Sequence, residues 1–165
     1  MPRLPASVIS ATRKREPVAF WLATWFGCGL SPKSPGTVGT IGALPLCLLL
    51  LPFGPPALVA AAILLTAVGI VVSARVARAS DNNDPQIVVI DEVAGMCLTL
   101  AFAAPTWKGV LAAFVLFRLF DITKPPPCRW IERRLPPGPG IMLDDTLAAL
   151  FAGAVLLLTR WIGWL

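Results

Sequence analysis

The sequence predicts an all-α integral membrane bundle of about five membrane-spanning helices with an amino-terminal interfacial or re-entrant segment, and three observations carry that expectation. Hydrophobic residues make up 56% of the 165, with a mean hydropathy of +0.76, which argues against a soluble fold. Charged residues amount to 14%, against roughly 25% in ordinary soluble domains. The 41 residues from Ser34 to Ala74 contain no charge, enough for two crossings at roughly 20 residues each.

The first 17 residues hold Arg3, Arg13, Lys14 and Arg15 without a following short apolar stretch and cleavage site, so 1–17 reads as a retained basic cytoplasmic tail. Val18 to Leu30 is apolar but too short to span comfortably, and it ends among Gly27, Gly29 and Pro32, which suits an interfacial or re-entrant segment. Pro52, Gly54, Pro55 and Pro56 break the charge-free run in its middle, making it a helical hairpin. Three shorter apolar stretches with charges at their ends follow: Ile87 to Ala104, Gly109 to Thr123 and Ile141 to Leu165. No long repeat or low-complexity tract divides the chain, so 18–165 is expected to form one membrane-embedded domain.

Basic residues set the orientation, because short cytoplasmic loops carry excess Lys and Arg. With the amino terminus inside, the tail, Lys33, Arg75, Arg78, Arg118, Lys124, Arg129, Arg133 and Arg134 all fall at the inner edge, and only Lys108 and Arg160 fall outside. The net charge of +5 then describes a basic membrane face that attracts anionic headgroups at roughly 1 kcal/mol per residue. Nucleic acid is not an expected partner, since no module for it is visible.

On that topology all nine acids lie on the cytoplasmic side. Asp81, Asp84, Asp91 and Glu92 surround the start of the third crossing, Asp121 ends the fourth, and Asp144 and Asp145 open the fifth. Ionisable groups at membrane depth cost several kcal/mol unless paired or solvated, which makes them functional candidates. Each has a bland alternative. Asp91 and Glu92 could be interfacial charges met by an Arg of a neighbouring helix, and Asp144 or Asp145 could cap the apolar helix that follows. Arg118, Asp121 and Lys124, spaced i, i+3 and i+6, could form a purely structural ion-pair ladder. In Ser31-Pro-Lys-Ser-Pro-Gly-Thr-Val-Gly-Thr-Ile-Gly, the turn with Lys33, Ser34 and Thr37 could cradle a phosphate at a helix start. Gly39 and Gly42 in the same stretch read as close helix packing.

Elimination narrows the chemistry. The chain has no His, which removes His nucleophiles, bases and metal ligands. Cys128 and Arg134 have the spacing of a Cys-based phosphatase, but the residues between them include no Gly for an amide cradle. Cys28, Cys47 and Cys97 lack zinc spacing and read as packing residues. Carboxylates, Lys and Arg remain, the groups that hold Mg²⁺ through hard oxygens and grip a phosphate with positive charge.

Five blocks make the resemblance specific: Gly-Leu-Ser-Pro at 29–32 with Pro-Gly-Thr-Val-Gly-Thr at 35–40, Ile-Asp-Glu-Val-Ala-Gly-Met at 90–96, Phe-Arg-Leu-Phe-Asp-Ile-Thr-Lys-Pro-Pro-Pro at 117–127, and Gly-Ile-Met-Leu-Asp-Asp at 140–145. In this order, with Asp84-Pro85 ahead of the Asp-Glu pair, the chain resembles the phosphatidylglycerophosphatase A family. The resemblance implies a Mg²⁺-requiring membrane phosphatase that converts the anionic phospholipid phosphatidylglycerophosphate to phosphatidylglycerol; with the orientation set by the basic residues, its site is expected to face the cytoplasm at the bacterial inner membrane. Some members carry His where this chain has Asn82, Asn83, Pro136 and Pro137, so such His residues are not essential here. Cys128 and Glu132 replace an aliphatic residue and an Asp that are common in the family.

The expected site therefore comprises Asp91, Glu92, Asp121, Asp144 and Asp145 as catalytic groups and metal ligands, with Lys33, Ser34, Thr37, Arg118, Lys124 and Arg129 on the substrate phosphate. Attack by water and attack by an Asp to give an aspartyl phosphate both remain open. A CDP-alcohol phosphotransferase would share the acids and Mg²⁺, but its long spaced Asp-Gly-x2-Ala-Arg signature is absent. A transporter would need polar groups continuing to the outer face, and here they stop at the inner one.

Overall fold

Proline fixes where most of the helices begin. The computed structural model describes residues 4–126, 128, 130 and 134–162. Its helices are α1 (Ala6–Arg15), α2 (Pro17–Ala23), α3 (Pro35–Leu50), α4 (Pro55–Ser80), α5 (Ile90–Leu100), α6 (Trp107–Thr123) and α7 (Pro137–Trp161). No strand occurs among the described residues. Pro stands in the opening turn of α2, α3, α4 and α7. There its missing N–H would have had no intrahelical acceptor, and its fixed φ suits the helix. α6 starts by side-chain capping instead, the Thr106 hydroxyl accepting from the Gly109 amide at 3.1 Å.

α5 is the hub, packed against α3, α4, α6 and α7. Eight of its eleven residues are buried, which explains why its sequence is apolar on almost every face. The expected crossing Ile87 to Ala104 is thus a short central helix, about 16 Å long at 1.5 Å per residue. Val89 precedes it in a non-helical conformation at φ −143°, and the Val89 amide, one of the helix-start donors without an intrahelical acceptor, donates to the Ala23 carbonyl at 2.8 Å, tying the end of α2 to the start of α5.

Among the described residues three helical segments are long and apolar enough to cross a membrane: Pro35–Phe53, which adds a 3₁₀ turn to α3, Pro55–Ser80 and Pro137–Trp161. α5, and the 17-residue α6 at about 26 Å, are shorter than the roughly 30 Å hydrocarbon core. Large apolar side chains such as Leu49, Phe53, Ile63, Leu64 and Trp107 stand exposed around the bundle, as a lipid-facing surface requires. α2 has seven residues, far too few to cross, and buries Phe20 in the bundle. Within residues 1–17, α1 packs on α2 and α4, and Glu16 and Arg75 approach to 3.6 Å.

The glycine stripe of α3 packs as expected. A Cβ on Gly39 would stand 2.6 Å from Val89 Cβ, and one on Gly42 would stand 2.7 Å from Cys28 Sγ. The Trp25 indole donates to the Gly42 carbonyl at 2.8 Å, near Pro45, which cannot donate inside the helix. Cys47 and Cys97 are buried side by side in the core, Sγ to Sγ 3.3 Å.

Candidate active site

Four helices and one loop bring the acids and bases to one end of the bundle. α3 contributes its first turn, α5 its first turn with Asp91 and Glu92, α6 its last turns with Arg118 and Asp121, and the loop before α5 adds Asp84, Gln86 and Val88. α7 contributes Asp144 and Asp145 from its interior. That position corrects the capping alternative for these two acids. α7 begins at Pro137, seven residues before Asp144, and its cap, Pro136, makes no side-chain bond. Pro-Gly-Pro-Gly reads as a loop by propensity, but Gly138 is buried with a would-be Cβ pressing on the Ile70 carbonyl of α4, and that packing carries the helix back to the proline.

The pairing is specific. Arg118 is ion-paired with Asp121 one turn along α6, and its Nη1 lies 3.8 Å from Glu92 Oε1 on α5. Lys124 does not extend an α6 ladder. It takes a left-handed conformation at φ 41° as the C-cap and reaches across to Asp144 on α7. The Asp144 carboxylate also accepts from the Asp145 amide at 2.9 Å. Asp121 and Asp144 are therefore each bound to a base.

The other three acids are different. Asp91 Oδ1, Glu92 Oε2 and Asp145 Oδ2 are buried without a hydrogen-bond partner. Burying an ionised oxygen unpaired costs several kcal/mol, so such a group calls for a counter-charge. Ligand atoms of the same three residues lie within 4.8 Å of one another. Opposite oxygens around a hard cation stand about 4–5 Å apart, so this donor set fits one Mg²⁺- or Ca²⁺-sized ion.

Beside the three acids lies a cleft of about 440 Å³, lined also by Ser34, Thr37, Arg118, Asp121 and Lys124. Lys33 stays exposed next to Ser34 and does not line it, and Asp144 sits behind Lys124. Arg129 and Glu132 lie outside the described residues. Asp84, a candidate acid in the sequence but not placed in the expected site, and Gln86, not singled out at all, also line the cleft; the polar run Asp-Asn-Asn-Asp-Pro-Gln four residues before the Asp-Glu pair is the feature that marks them. Gly36 is the closest backbone approach. A Cβ there would collide with Glu92 Oε1 and lie 3.0 Å from Arg118 Nη1.

Burial pushes the Cys128 thiol above its ordinary pKa, and the Asp144 carboxylate adds to the shift, so the nucleophilic thiolate is disfavoured. The eight described acids gather at one end, and the opposite end carries Lys108 and Arg160, the latter donating to the Phe102 carbonyl at 3.3 Å. Among the described residues no line of acids continues through the bundle, which is what a transport pathway would need.

A family profile described as Phosphatidylglycerophosphatase A matches residues 21–160. The chain is 39% identical over 138 residues to the Escherichia coli protein named phosphatidylglycerophosphatase A, covering 82% of this chain and 79% of that one. It is 38% identical to the Haemophilus influenzae protein of the same name, covering 82% and 84%. A Bacteroides thetaiotaomicron protein, provisionally named a phosphatidylinositol-3-phosphatase, is 37% identical over 150 residues, covering 86% and 92%. No solved structure gives a significant match.

Proposed function

Since the chain belongs to the phosphatidylglycerophosphatase A family, we propose that it hydrolyses the phosphomonoester of phosphatidylglycerophosphate, giving phosphatidylglycerol and inorganic phosphate. The observation that carries this reading is the convergence of three unpartnered carboxylate oxygens with Arg118 and Lys124 in one cleft of a membrane bundle. Asp91, Glu92 and Asp145 would hold Mg²⁺. When bound, the ion supplies Lewis-acid stabilisation of the phosphoryl charge and activation of the attacking oxygen. Arg118 is held from two sides by Asp121 and Glu92, and its Nε–H has no protein partner, so it can donate to a phosphate oxygen. Lys124, fixed by Asp144, brings a second positive charge to the equatorial oxygens where charge spreads in the transition state. Ser34 and Thr37 at the start of α3 add hydroxyl donors.

The test is inorganic phosphate release by the purified protein in detergent from phosphatidylglycerophosphate, phosphatidic acid and phosphatidylinositol 3-phosphate. Phosphatidylglycerophosphate is expected to be hydrolysed fastest. Faster release from phosphatidylinositol 3-phosphate would transfer the assignment to the activity named for the Bacteroides relative. Excess chelator is expected to abolish release, and Mg²⁺ but not Ca²⁺ to restore it, because Mg²⁺ demands octahedral oxygens at about 2.0–2.1 Å and Ca²⁺ does not. Undiminished turnover in chelator would remove the metal.

The Lys and Arg distribution supports an inner-membrane protein with this end of the bundle in the cytoplasm. Gly138 is too tightly packed to carry a reporter, whereas Leu135 just before α7 is exposed. Leu135→Cys, in a chain whose four native Cys are replaced, is expected to resist a membrane-impermeant thiol reagent in intact cells and to react in inverted vesicles. The opposite pattern would reverse the orientation.

A further inference from the structure

The two helices that flank the cleft also enclose an apolar groove. α3 and α6 each pack against α5 and leave between them a space of about 610 Å³. One wall is Ile41, Leu44, Leu48 and Leu51, the other Trp107, Leu111 and Phe114 with their neighbours. The polar side-chain groups of the lining are the Thr106 hydroxyl, which is already used to cap α6, and the Trp107 indole N–H. The rest of the lining is apolar and suits an apolar ligand.

Its position relative to the cleft is fixed by helix geometry. Thr37 lines the cleft and Ile41, one turn further along α3, opens the groove; Arg118 lines the cleft and Phe114, one turn back along α6, faces the groove. Each helix therefore presents a polar head and an apolar continuation on the same face. From Ile41 to Leu51 the groove runs about 15 Å at 1.5 Å per residue, half of the roughly 30 Å hydrocarbon core and hence the depth of one leaflet.

We infer that the α3–α6 groove holds an acyl chain of the lipid whose phosphorylated headgroup occupies the cleft; the inference rests on the lipid-phosphatase reading above. The alignment of the two spaces, one turn apart on the same pair of helices, singles out the substrate's own chain over a second copy of the protein or a passing membrane lipid, neither of which needs the cleft. The groove makes the enzyme selective for long chains, since a short-chain substrate fills the cleft but leaves the groove empty.

Leu48 and Leu111 are half exposed, so Trp at either position fills the groove without disturbing the core. In mixed micelles, Leu48→Trp and Leu111→Trp are each expected to lower the ratio of kcat/KM for dipalmitoyl over dihexanoyl phosphatidylglycerophosphate by about tenfold, the scale of a misfit in an apolar pocket. Ile63→Trp, on the exposed face of α4, should leave that ratio unchanged. An unchanged ratio in both groove variants would overturn the inference while leaving wild-type turnover, and the functional reading, intact; a wild type inactive on both chain lengths would instead sink the functional reading. A readout independent of turnover is a phosphonate analogue of phosphatidylglycerophosphate with a diazirine near the end of one chain. Adducts are expected on the peptides containing Leu48 and Trp107, suppressed by excess unlabelled phosphatidylglycerophosphate and not by phosphatidylcholine. Adducts spread over Ile63 and Leu64, or insensitive to competition, would show bulk lipid or a protein contact there and overturn it.

Discussion

Replacing Asp91 by Asn is expected to lower kcat by at least about 10³-fold, the effect of removing a preorganised electrostatic contact worth about 2.7–4 kcal/mol. Asn keeps the volume and loses the charge, and Asp91 Oδ1 is one of the three buried oxygens without a protein partner. Asp145→Asn should lose as much, since Asp145 Oδ2 stands in the same position. The comparison residue is Asp81, exposed at the left-handed C-cap of α4 with φ 50°, a conformation Asn also adopts readily. Asp81→Asn should stay within about tenfold, a change of about 1.4 kcal/mol. Steady-state phosphate release from monodisperse variants decides the matter, with Mg²⁺ titration as the second measurement. Near-normal kcat in Asp91→Asn would remove the proposed site.

Gly36→Ala is expected to cost about 10²-fold in kcat, because misplacing a catalytic group by about 1 Å is enough for a loss of that size. The added methyl would meet Glu92 Oε1 and Arg118 Nη1, so it displaces the proposed metal ligand and the proposed phosphate donor together. The backbone of Gly36 is helical and poses no conformational objection to Ala. Thermal stability should therefore hold or rise slightly while turnover falls. A drop in both, with activity per folded molecule preserved, would assign Gly36 to packing alone.

Much of the fold was legible because lipid imposes simple rules. The charge-free run broken at Pro52 to Pro56 became the α3–α4 pair, and the acids of the Ile-Asp-Glu, Phe-Asp-Ile and Leu-Asp-Asp blocks met at one end. What sequence could not show was length and partner. A continuous apolar stretch from Ile87 to Ala104 looks like a crossing, yet it holds an eleven-residue hub, preceded by the non-helical Val89 and buried on almost every face. The start of α7 was hidden because Pro-Gly-Pro-Gly is loop-like by propensity and helical only through packing on α4. Lys124 follows the spacing of an α6 ladder, but the helix ends there and the side chain turns to Asp144, a partner 20 residues away that no local period encodes. Gln86 was not legible, and Asp84 was legible as an inner-edge acid but not as part of the site, for a similar reason: they sit in a loop with no repeat to mark a face.

The first turns of α3 and α5 both line the cleft, and neither helix has a side-chain cap at that end. Each helix start carries about half a positive charge from its aligned peptide dipoles. Together they bring about one unit of positive charge to the cleft from the backbone alone, a field that no side-chain substitution removes and no proton transfer alters. Part of the attraction for a phosphate thus belongs to the fold itself, and it also offsets the mutual repulsion of acids gathered around one spot. Neutralising Lys124 or Arg118 should then weaken phosphate binding without erasing it.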